Sequence, residues 1–505
     1  MSLTCLDQLI ARHARYRADQ PALVCGELRR NYAEFHAGIE RLAALLQARG
    51  VGHGDRVAAM LGNGLPLLAL YFACARLGAV IVPASPLLRG PGLATLLADA
   101  GASALIHDAA LAAVVAEARE AVALADQRVL CVGGDYAAAL AAAPAAPSDR
   151  APVAPEDLFN IMYSSGTTGA PKGIEHSHRV RANYAMGFAA SWRMTPESVV
   201  LHSGSIVFNG AMVTLLPCFY LGAKYVLLPA FEPGEVIEAI ARERVTHTML
   251  VPSQIVALME HADFSPQKLG SLQMLLSLGA PLLREQKQRL DRLLPGRFHE
   301  LYGLTEGFVT ILDREDFARK PDSVGCPPPL FEMKIIGEDG SELPPGEIGE
   351  IVGRGPILSS GYYGRPEQTA QAFRDGWLHS GDLGRVDEDG YLYLVDRLKD
   401  MIVSGGVNVY PRDIEEIAAQ HPVVLEVAVF GVPDERWGET PVAAVVPRAG
   451  QAPAADELRE WINARVQARY QRVAAVQLLE DFPRNVAGKI LKRELAARYG
   501  ERDQG

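Results

Sequence analysis

The alternation of short apolar strands with helices is the feature that most constrains how the first half of this 505-residue chain can fold. Residues 56–61 and 79–82 show the apolar pattern of buried strands, and residues 66–77 between them show that of a helix. Pro66 suits the first turn of that helix, and Gly78 suits its end. Buried strands that alternate with helices indicate a mostly parallel sheet covered on both faces. The pattern therefore predicts an α/β fold with doubly wound sheets.

The pattern changes from residue 323 onward, where short alternating segments lie between Gly and Pro turns. This indicates an antiparallel, barrel-like region that includes residues 331–336, 349–353 and 391–395. After Asp396 the pattern predicts a small α+β unit with strands at 427–431, 440–446 and 475–479 and helices at 455–468 and from Leu491.

The length of the chain exceeds what a single hydrophobic core supports, so several compact units are expected. We predict an N-terminal domain over residues 1–396, containing the doubly wound sheets and the small β-barrel, and an α+β domain over residues 397–505. The Ala- and Pro-rich residues 137–155 read as a loose connector.

Composition argues against several classes of protein. The net charge of −11 is unsuited to binding nucleic acid through a basic surface, so no nucleic-acid partner is expected. The six cysteines form no Cys-x-x-Cys pair and no Cys/His cluster, which is typical of a reducing compartment and favours a cytoplasmic location. The most apolar run, residues 67–82, is interrupted by Arg76 and Gly78, so no integral membrane span is expected.

Residues 163–173 read Tyr-Ser-Ser-Gly-Thr-Thr-Gly-Ala-Pro-Lys-Gly and form the strongest chemical signal of the chain. Small side chains let the backbone N–H groups close around an anion, while the hydroxyls and Lys172 add donors and positive charge. The order of residues is not that of a Walker loop. The segment therefore predicts a phosphate-binding loop of another kind.

Later motifs carry groups that suit the rest of a nucleotide. In the segment Tyr-Gly-Leu-Thr-Glu, Tyr302 offers a flat ring to a purine and Glu306 is a hard oxygen ligand suited to Mg²⁺. Asp382, in Ser-Gly-Asp, can accept hydrogen bonds from a ribose diol. A charged segment at 396–402 precedes a Gly-rich hairpin at 404–411, and Lys489 lies in a Gly-containing loop near the C-terminal end. Each motif alone would more often be a solvated turn or linker.

Together and in this order, these motifs resemble those of the acyl-adenylate-forming enzymes, and in particular the acyl-CoA synthetases. The resemblance implies that Tyr302 stacks on adenine, Asp382 binds the ribose, and Thr168 and Glu306 bind Mg²⁺. It implies Lys489, Glu306 and Thr305 as catalytic residues. The implied ATP- and AMP-binding set is Ser164, Ser165, Gly166, Thr167, Thr168, Gly169, Lys172, Gly279, Ala280, Tyr302, Gly303, Asp382 and Arg397.

The resemblance also implies a moving C-terminal lid. Lys399 would be the hinge about which this domain rotates, and Gly405 and Gly406 would shape a narrow passage for the pantetheine arm of coenzyme A. Lys489 would bridge the substrate carboxylate and the α-phosphate in the first half-reaction.

The expected acyl pocket is mainly apolar and includes Val207, Gly210, Val251, Leu278 and Phe308. The position where the family usually has a His falls on Val207 or, in a register shifted by one residue, on Phe208, so the resemblance does not extend to a His at the pocket entrance. No acidic residue lies between residues 201 and 217 to pair with an ammonium group, which argues against an amino acid as substrate. A fatty or aryl carboxylic acid is favoured, and the sequence does not choose between them.

The resemblance implies an ATP-dependent acyl-CoA synthetase that uses ATP, Mg²⁺ and coenzyme A and forms an acyl-AMP intermediate. Two alternatives stay open: an enzyme that loads a separate carrier protein, and a non-catalytic nucleotide-binding sensor. Turnover with coenzyme A alone would exclude the first, and acid-dependent release of pyrophosphate would exclude the second. The partners expected are the small-molecule acid, ATP and coenzyme A, and a homodimer is left open.

Overall fold

A computed structural model describes residues 5–164, 172–397, 400–404, 407–434, 436–451, 453–484 and 490–503. The chain divides into two compact units. Unit 1 comprises Met1–Leu278, Gly303–Phe308 and Arg354–Gly376. Unit 2 comprises Gly279–Tyr302, Val309–Gly353 and Trp377–Gly505.

The helices are, in chain order, α1 Leu9–Tyr16, α2 Tyr32–Ala48, α3 Leu65–Leu77, α4 Gly90–Asp99, α5 Ala112–Ala121, α6 Tyr136–Ala142, α7 His178–Ser191, α8 Asn209–Leu221, α9 Pro233–Glu243, α10 Pro252–Glu260, α11 Arg284–Leu293, α12 Arg314–Arg319, α13 Pro366–Ala372, α14 Pro411–Ala418, α15 Ala455–Asn463 and α16 Lys492–Asp503.

The strands are β1 Pro21–Cys25, β2 Leu28–Asn31, β3 Arg56–Met60, β4 Val80–Pro83, β5 Ala104–Asp108, β6 Val129–Val132, β7 Leu158–Ser164, β8 Lys172–Ser177, β9 Val199–His202, β10 Lys224–Leu227, β11 His247–Leu250, β12 Met274–Leu278, β13 Phe298–Gly303, β14 Val309–Leu312, β15 Glu332–Ile336, β16 Gly349–Arg354, β17 Gly361–Tyr362, β18 Phe373–Arg374, β19 Trp377–Val386, β20 Leu392–Arg397, β21 Ile402–Ser404, β22 Val407–Val409, β23 Val424–Asp434, β24 Gly438–Pro447 and β25 Ala475–Leu478.

The first sheet of unit 1 has the strand order β17-β8-β7-β4-β3-β5-β6. Strands β3 to β6 run parallel, as the apolar pattern predicts, and β7 joins them parallel to β4. The β7–β8 pair is antiparallel and pairs Ser164 with Lys172, so the phosphate-loop residues connect these two strands. The parallel core is closely packed, with Ala58, Val82 and Leu105 almost wholly buried. This sheet therefore places both ends of the phosphate loop on rigid strands.

The second sheet of unit 1 contains strands in the order β12-β11-β9-β10-β1-β2. The first five run parallel, and β2 is an antiparallel edge strand. The buried patterns of β9, β10 and β11 are those of strands covered on both faces. In such a sheet, ligands bind beyond the carboxyl ends of the strands. For β9, β10 and β11 these ends are His202, Leu227 and Leu250.

Unit 2 contains an antiparallel run of strands in the order β15-β16-β19, with β20 paired to β19. This confirms the antiparallel pattern read from residue 323 onward. Toward the C-terminal end, β22-β21-β24-β23 form an antiparallel sheet, and β25 lies parallel to β24. Its core contains Ile402, Ile414, Val429, Val445 and Leu458, contributed by strands and helices alike. The boundary at residues 396 and 397 stays a prediction.

Two sequence readings are corrected by the structure. Residues 137–155 are not wholly a connector, because α6 covers Tyr136–Ala142, an alanine-rich stretch with good helix propensity. The helix expected at 455–468 ends at Asn463, whose Oδ1 accepts a hydrogen bond from the Val473 N–H at 2.8 Å. Within the described residues, no helix is long and apolar enough to cross a membrane.

Candidate active site

In unit 1, Tyr362 contacts both Lys172 and Glu306, which the sequence assigns to phosphate and magnesium binding. The sequence analysis missed this tyrosine. Tyr362 lies in β17, which pairs with β8 and places Tyr362 opposite Ile174. The Lys172 Nζ lies 4.8 Å from the centre of the Tyr362 ring, within the range of a cation–π contact. The Tyr362 hydroxyl donates a hydrogen bond to Glu306 Oε1 at 2.8 Å. One aromatic side chain therefore holds both predicted residues.

The segment that carries Glu306 is fixed by close backbone contacts. The Ser359 N–H donates to the Glu306 carbonyl oxygen at 2.8 Å. Gly307 has φ of +116°, and a Cβ there would lie 2.0 Å from the Ile357 carbonyl oxygen, so only glycine fits. Burial, followed by the charge of Glu306, raises the pKa of Tyr362, so the phenol stays a donor near neutral pH.

A chain of buried hydrogen bonds reaches Thr305 from helix α7. The Arg181 Nε donates to Asn160 Oδ1 at 2.7 Å, and Asn160 Nδ2 lies 3.3 Å from His176 Nδ1. The His176 Nε2 lies 2.8 Å from the Thr305 carbonyl oxygen. These distances define one tautomer, in which Nδ1 accepts and Nε2–H donates. The chain thus fixes the backbone beside Glu306 from inside the molecule.

The other side of the Arg181 guanidinium reaches the start of α8. Its Nη1 donates to Asn209 Oδ1 at 2.8 Å, and its carbon lies 4.7 Å from the centre of the Tyr184 ring. Arg181 is fully buried and has no ion pair with a carboxylate among the described residues. Burial lowers its pKa to about 10, which still leaves the group charged at neutral pH. The charge of Arg181 also helps burial to keep the pKa of His176 well below its ordinary range.

The predicted acyl-pocket residues follow the carboxyl ends of the second sheet. A Cβ at Gly210 would lie 3.0 Å from Leu278 Cδ1 and 3.7 Å from Met249 Cε, so these residues are in contact. Val207 and Phe308 are buried, and Val251 directly follows β11 and precedes α10. Gly303 ends β13. The structure therefore brings Gly210 and Leu278 together and adds Met249, which the sequence analysis missed.

In unit 2, three residues assigned to the nucleotide lie together. The Tyr302 hydroxyl donates to Asp382 Oδ2 at 2.8 Å. Strands β19 and β20 pair Asp382 with Arg397, the last residue of β20. Asp382 is almost wholly buried, and its N–H donates to Ser380 Oγ at 3.0 Å. Gly279 and Ala280 directly follow β12, and Gly279 has φ of +93°.

Several assigned residues lie outside the described residues, and their roles stay predictions. They are Ser165, Gly166, Thr167, Thr168 and Gly169 of the phosphate loop, the expected hinge Lys399, the passage glycines Gly405 and Gly406, and the expected catalytic Lys489.

The residues that the sequence analysis missed share one property. Tyr362, His176, Arg181 and Asn209 act through partners that are distant in sequence, so no short motif contains them. No local signal marks Arg181 as buried, because Arg179 and Asn183 stand two residues away on either side of it in the sequence. Its carboxylate-free surroundings could not be read from the sequence.

Comparison with known proteins places this geometry in one family. Residues 10–363 match the AMP-binding enzyme family, and residues 413–489 match the C-terminal domain of AMP-binding enzymes. A feruloyl-CoA synthase from Amycolatopsis sp is 40% identical over 493 residues, covering 97% of this chain and 98% of that protein. The long-chain-fatty-acid–CoA ligase FadD13 from Mycobacterium tuberculosis is 34% identical over 478 residues, covering 94% of each chain. The crystal structure of ATP-bound MatB from Rhodopseudomonas palustris has a TM-score of 0.89 at 31% identity and covers 98% of this chain and 99% of MatB.

Proposed function

This chain belongs to the AMP-binding enzyme family and is an acid–thiol ligase that forms acyl-CoA with ATP, and we propose that its acid is an aryl carboxylic acid. The observation that carries this proposal is the similarity to a feruloyl-CoA synthase over almost the whole of both chains. Identity to the long-chain-fatty-acid ligase is lower, at 34% against 40%. The apolar contacts of Gly210 with Leu278 and Met249 supply a surface suited to an aromatic ring.

In the first half-reaction, an oxygen of the acid attacks the α-phosphorus of ATP, and the bond to pyrophosphate breaks. We propose that Lys172 holds phosphate oxygens while Tyr362 fixes the orientation of Glu306. The hydrogen-bond chain through His176 keeps the Thr305 backbone in place, so these groups need no reorganisation during the reaction. In unit 2, we propose that Tyr302 and Asp382 bind adenosine.

The residues present fit a Mg²⁺ ion carried in with ATP. The described residues contain no group of three His, Cys, Asp or Glu side chains that could hold a metal by themselves. A single carboxylate, Glu306, with the hydroxyl of Thr168, suits Mg²⁺ that is held mainly by phosphate oxygens. When bound, Mg²⁺ would neutralise part of the phosphate charge.

In the second half-reaction, the thiolate of coenzyme A attacks the acyl carbon, and the bond to AMP breaks. We propose that Lys489 serves the first half-reaction and is withdrawn before the second by rotation about Lys399. Gly405 and Gly406 would then leave room for the pantetheine arm. A cytoplasmic location and assembly as a homodimer belong to this proposal as well.

The test is release of pyrophosphate and formation of CoA thioester with Mg·ATP across a panel of acids. The panel comprises cinnamates, benzoates, octanoate and palmitate, each with and without coenzyme A. We expect the aryl acids to show the highest kcat/KM and turnover to require coenzyme A.

Three results would contradict the proposal in different ways. Preference for octanoate or palmitate would make the enzyme a fatty-acid ligase. Acyl-AMP formation without thioester would favour a separate carrier protein as acceptor. Binding of ATP without release of pyrophosphate for any acid would favour a nucleotide sensor.

A further inference from the structure

His202 is a buried histidine with no partner for either ring nitrogen. Its side chain is 1% exposed, and neither Nδ1 nor Nε2 has a hydrogen-bond partner among the residues that the structure describes. A buried polar group left unpaired destabilises a protein, because it has given up its hydrogen bonds to water. Buried polar groups in native proteins are therefore almost always paired, and an exception calls for a physical reason.

The position of His202 places it on the acyl-pocket face of the second sheet. Strands β9 and β11 pair Val200 with His247, and side chains alternate along a strand, so His202 shares a face with Met249. Met249 in turn contacts the position of Gly210 at the start of α8. His202 is also the last residue of β9, at the edge where parallel sheets bind ligands.

The loop after His202 is arranged around the imidazole. A Cβ at Gly204 would lie 3.5 Å from His202 Nε2, so the backbone passes close to the ring. Asn63 Nδ2 donates to the Gly204 carbonyl oxygen at 2.6 Å, and Asn63 Oδ1 accepts from the Ile206 N–H at 3.0 Å. The Asn63 side chain is thus committed to the backbone of this loop, and neither it nor the buried Ser203 hydroxyl, which also has no partner among the described residues, bonds to the imidazole.

The chemistry of the ring defines what could pair with it. Burial lowers the pKa of His202 to about 4, so the ring is neutral near pH 7 and offers one N–H donor and one acceptor nitrogen. A hydroxyl group is complementary, because it can donate to one nitrogen or accept from the other. A purely apolar acyl group would leave both nitrogens unpaired.

We propose that His202 is a specificity-determining residue of the acyl pocket and hydrogen-bonds a hydroxyl group on the ring of the aryl acid. This inference rests on the proposed function and sharpens it from aryl acids to hydroxylated aryl acids. The unpaired imidazole would disfavour acids without the hydroxyl, since discrimination is strongest where a binding site leaves a polar group unsatisfied.

The experiment compares cinnamate with its 2-, 3- and 4-hydroxy derivatives in the wild-type enzyme and in His202→Leu, His202→Gln and His247→Gln. The readout is kcat/KM for CoA-thioester formation. In the wild type, we expect at least one hydroxylated acid to exceed cinnamate by about tenfold or more. His202→Leu should lower kcat/KM for that acid by about 10–100-fold and leave cinnamate nearly unchanged or improved.

The matched control is His247, which lies on the same face of the same sheet but has both nitrogens paired. His247→Gln should leave the ratio between the two acids unchanged. His202→Gln keeps a donor and an acceptor and should retain part of the preference, and it decides the matter if His202→Leu does not fold.

Two results would overturn the inference while leaving the proposed function intact: a wild type that turns over all four acids equally, or a preference that persists in His202→Leu. Benzoate and its hydroxy derivatives are compared in the same way, and if the wild type turns over neither these acids nor the four cinnamates, the proposed function itself fails.

Discussion

Two groups of buried polar side chains in unit 1 differ in how completely they are paired. The Arg181 guanidinium donates through Nε to Asn160 and through Nη1 to Asn209, and Asn160 in turn bonds to His176, while the Arg181 Nη2 has no partner among the described residues. At the carboxyl ends of the second sheet, His202 has no partner among the described residues, and the same is true of the hydroxyl of Ser277. Apart from Asn209, which is half-buried, the residues of both groups are almost wholly excluded from solvent.

The difference follows from the partner that each group binds. The Arg181 group connects α7, β7, β8 and α8 and fixes the backbone at Thr305, so its partners are parts of the protein. His202 lies where the second sheet meets the acyl pocket, so its partner is expected to be the substrate. The Arg181 group is therefore expected to determine stability and positioning for every acid, and His202 to determine which acid is preferred.

The largest effect is expected from Arg181→Met, which breaks the paired group at its centre. It leaves Asn160 and Asn209 without their donor, so we expect the free energy of unfolding to fall by about 2–4 kcal/mol. Because His176, which bonds the Thr305 backbone, is then held less firmly through Asn160, kcat should fall at least about tenfold for all acids alike, with KM for the acid changing less. Thermal unfolding and steady-state kinetics measure the two effects.

Arg179→Met is the matched control, because Arg179 lies on the same helix but forms an exposed ion pair with Glu156. Such pairs contribute only about 0–1 kcal/mol, so neither stability nor kcat should change much. If Arg181→Met loses stability but keeps its kcat, the hydrogen-bond chain supports the fold without positioning the catalytic segment.

The next largest effect concerns pH. Burial lowers the pKa of His247 to about 4, below its ordinary value. The unfolded chain therefore binds more protons than the folded one between about pH 6.5 and pH 4, and stability falls as pH falls through this range. For one such histidine the loss at pH 5 is about 2 kcal/mol. Carboxylates with lowered pKa, such as Glu243 at about 2, lose their contribution as pH falls from about 4.5 to 2, below the pH 5 of the measurement.

The measurement is the midpoint of thermal unfolding at pH 7 and pH 5 for the wild type and His247→Gln. The wild type should lose more stability than the variant over this interval, because glutamine can keep the contact to the Trp192 carbonyl oxygen but does not titrate. An identical loss in both proteins would show that His247 does not contribute to acid sensitivity.

Some parts of the fold and of the site could be predicted from the sequence, and others could not. Periodicity predicted the parallel strands. Separate motifs predicted Tyr302 and Asp382 as nucleotide-binding residues, and in the structure a hydrogen bond joins the two side chains. Tyr362 could not be predicted, because its place beside Lys172 and Glu306 depends on the pairing of β17 with β8 across nearly two hundred residues. The lack of a partner at His202 is likewise a property of packing, which no local pattern records.

The smallest effect is expected from two hydroxyl groups on the face of the second sheet that is opposite to His202. Thr248 in β11 and Ser277 in β12 are both fully buried. Leu250 pairs with Ser277, and side chains alternate along a strand, so Thr248 and Ser277 lie on the same face of the sheet. The Thr248 hydroxyl donates to the Leu201 carbonyl oxygen at 3.2 Å, whereas the Ser277 hydroxyl has no partner among the described residues.

Thr248→Val removes the paired hydroxyl while keeping the shape of the side chain, so we expect the free energy of unfolding to fall by about 1 kcal/mol. Ser277→Ala removes an unpaired one and should leave stability within about 0.5 kcal/mol of the wild type or raise it. Thermal or chemical unfolding of the two variants measures the difference. If Ser277→Ala proves as destabilising as Thr248→Val, the Ser277 hydroxyl has a partner in solution, and the contrast between the paired and unpaired groups would then depend on His202 alone.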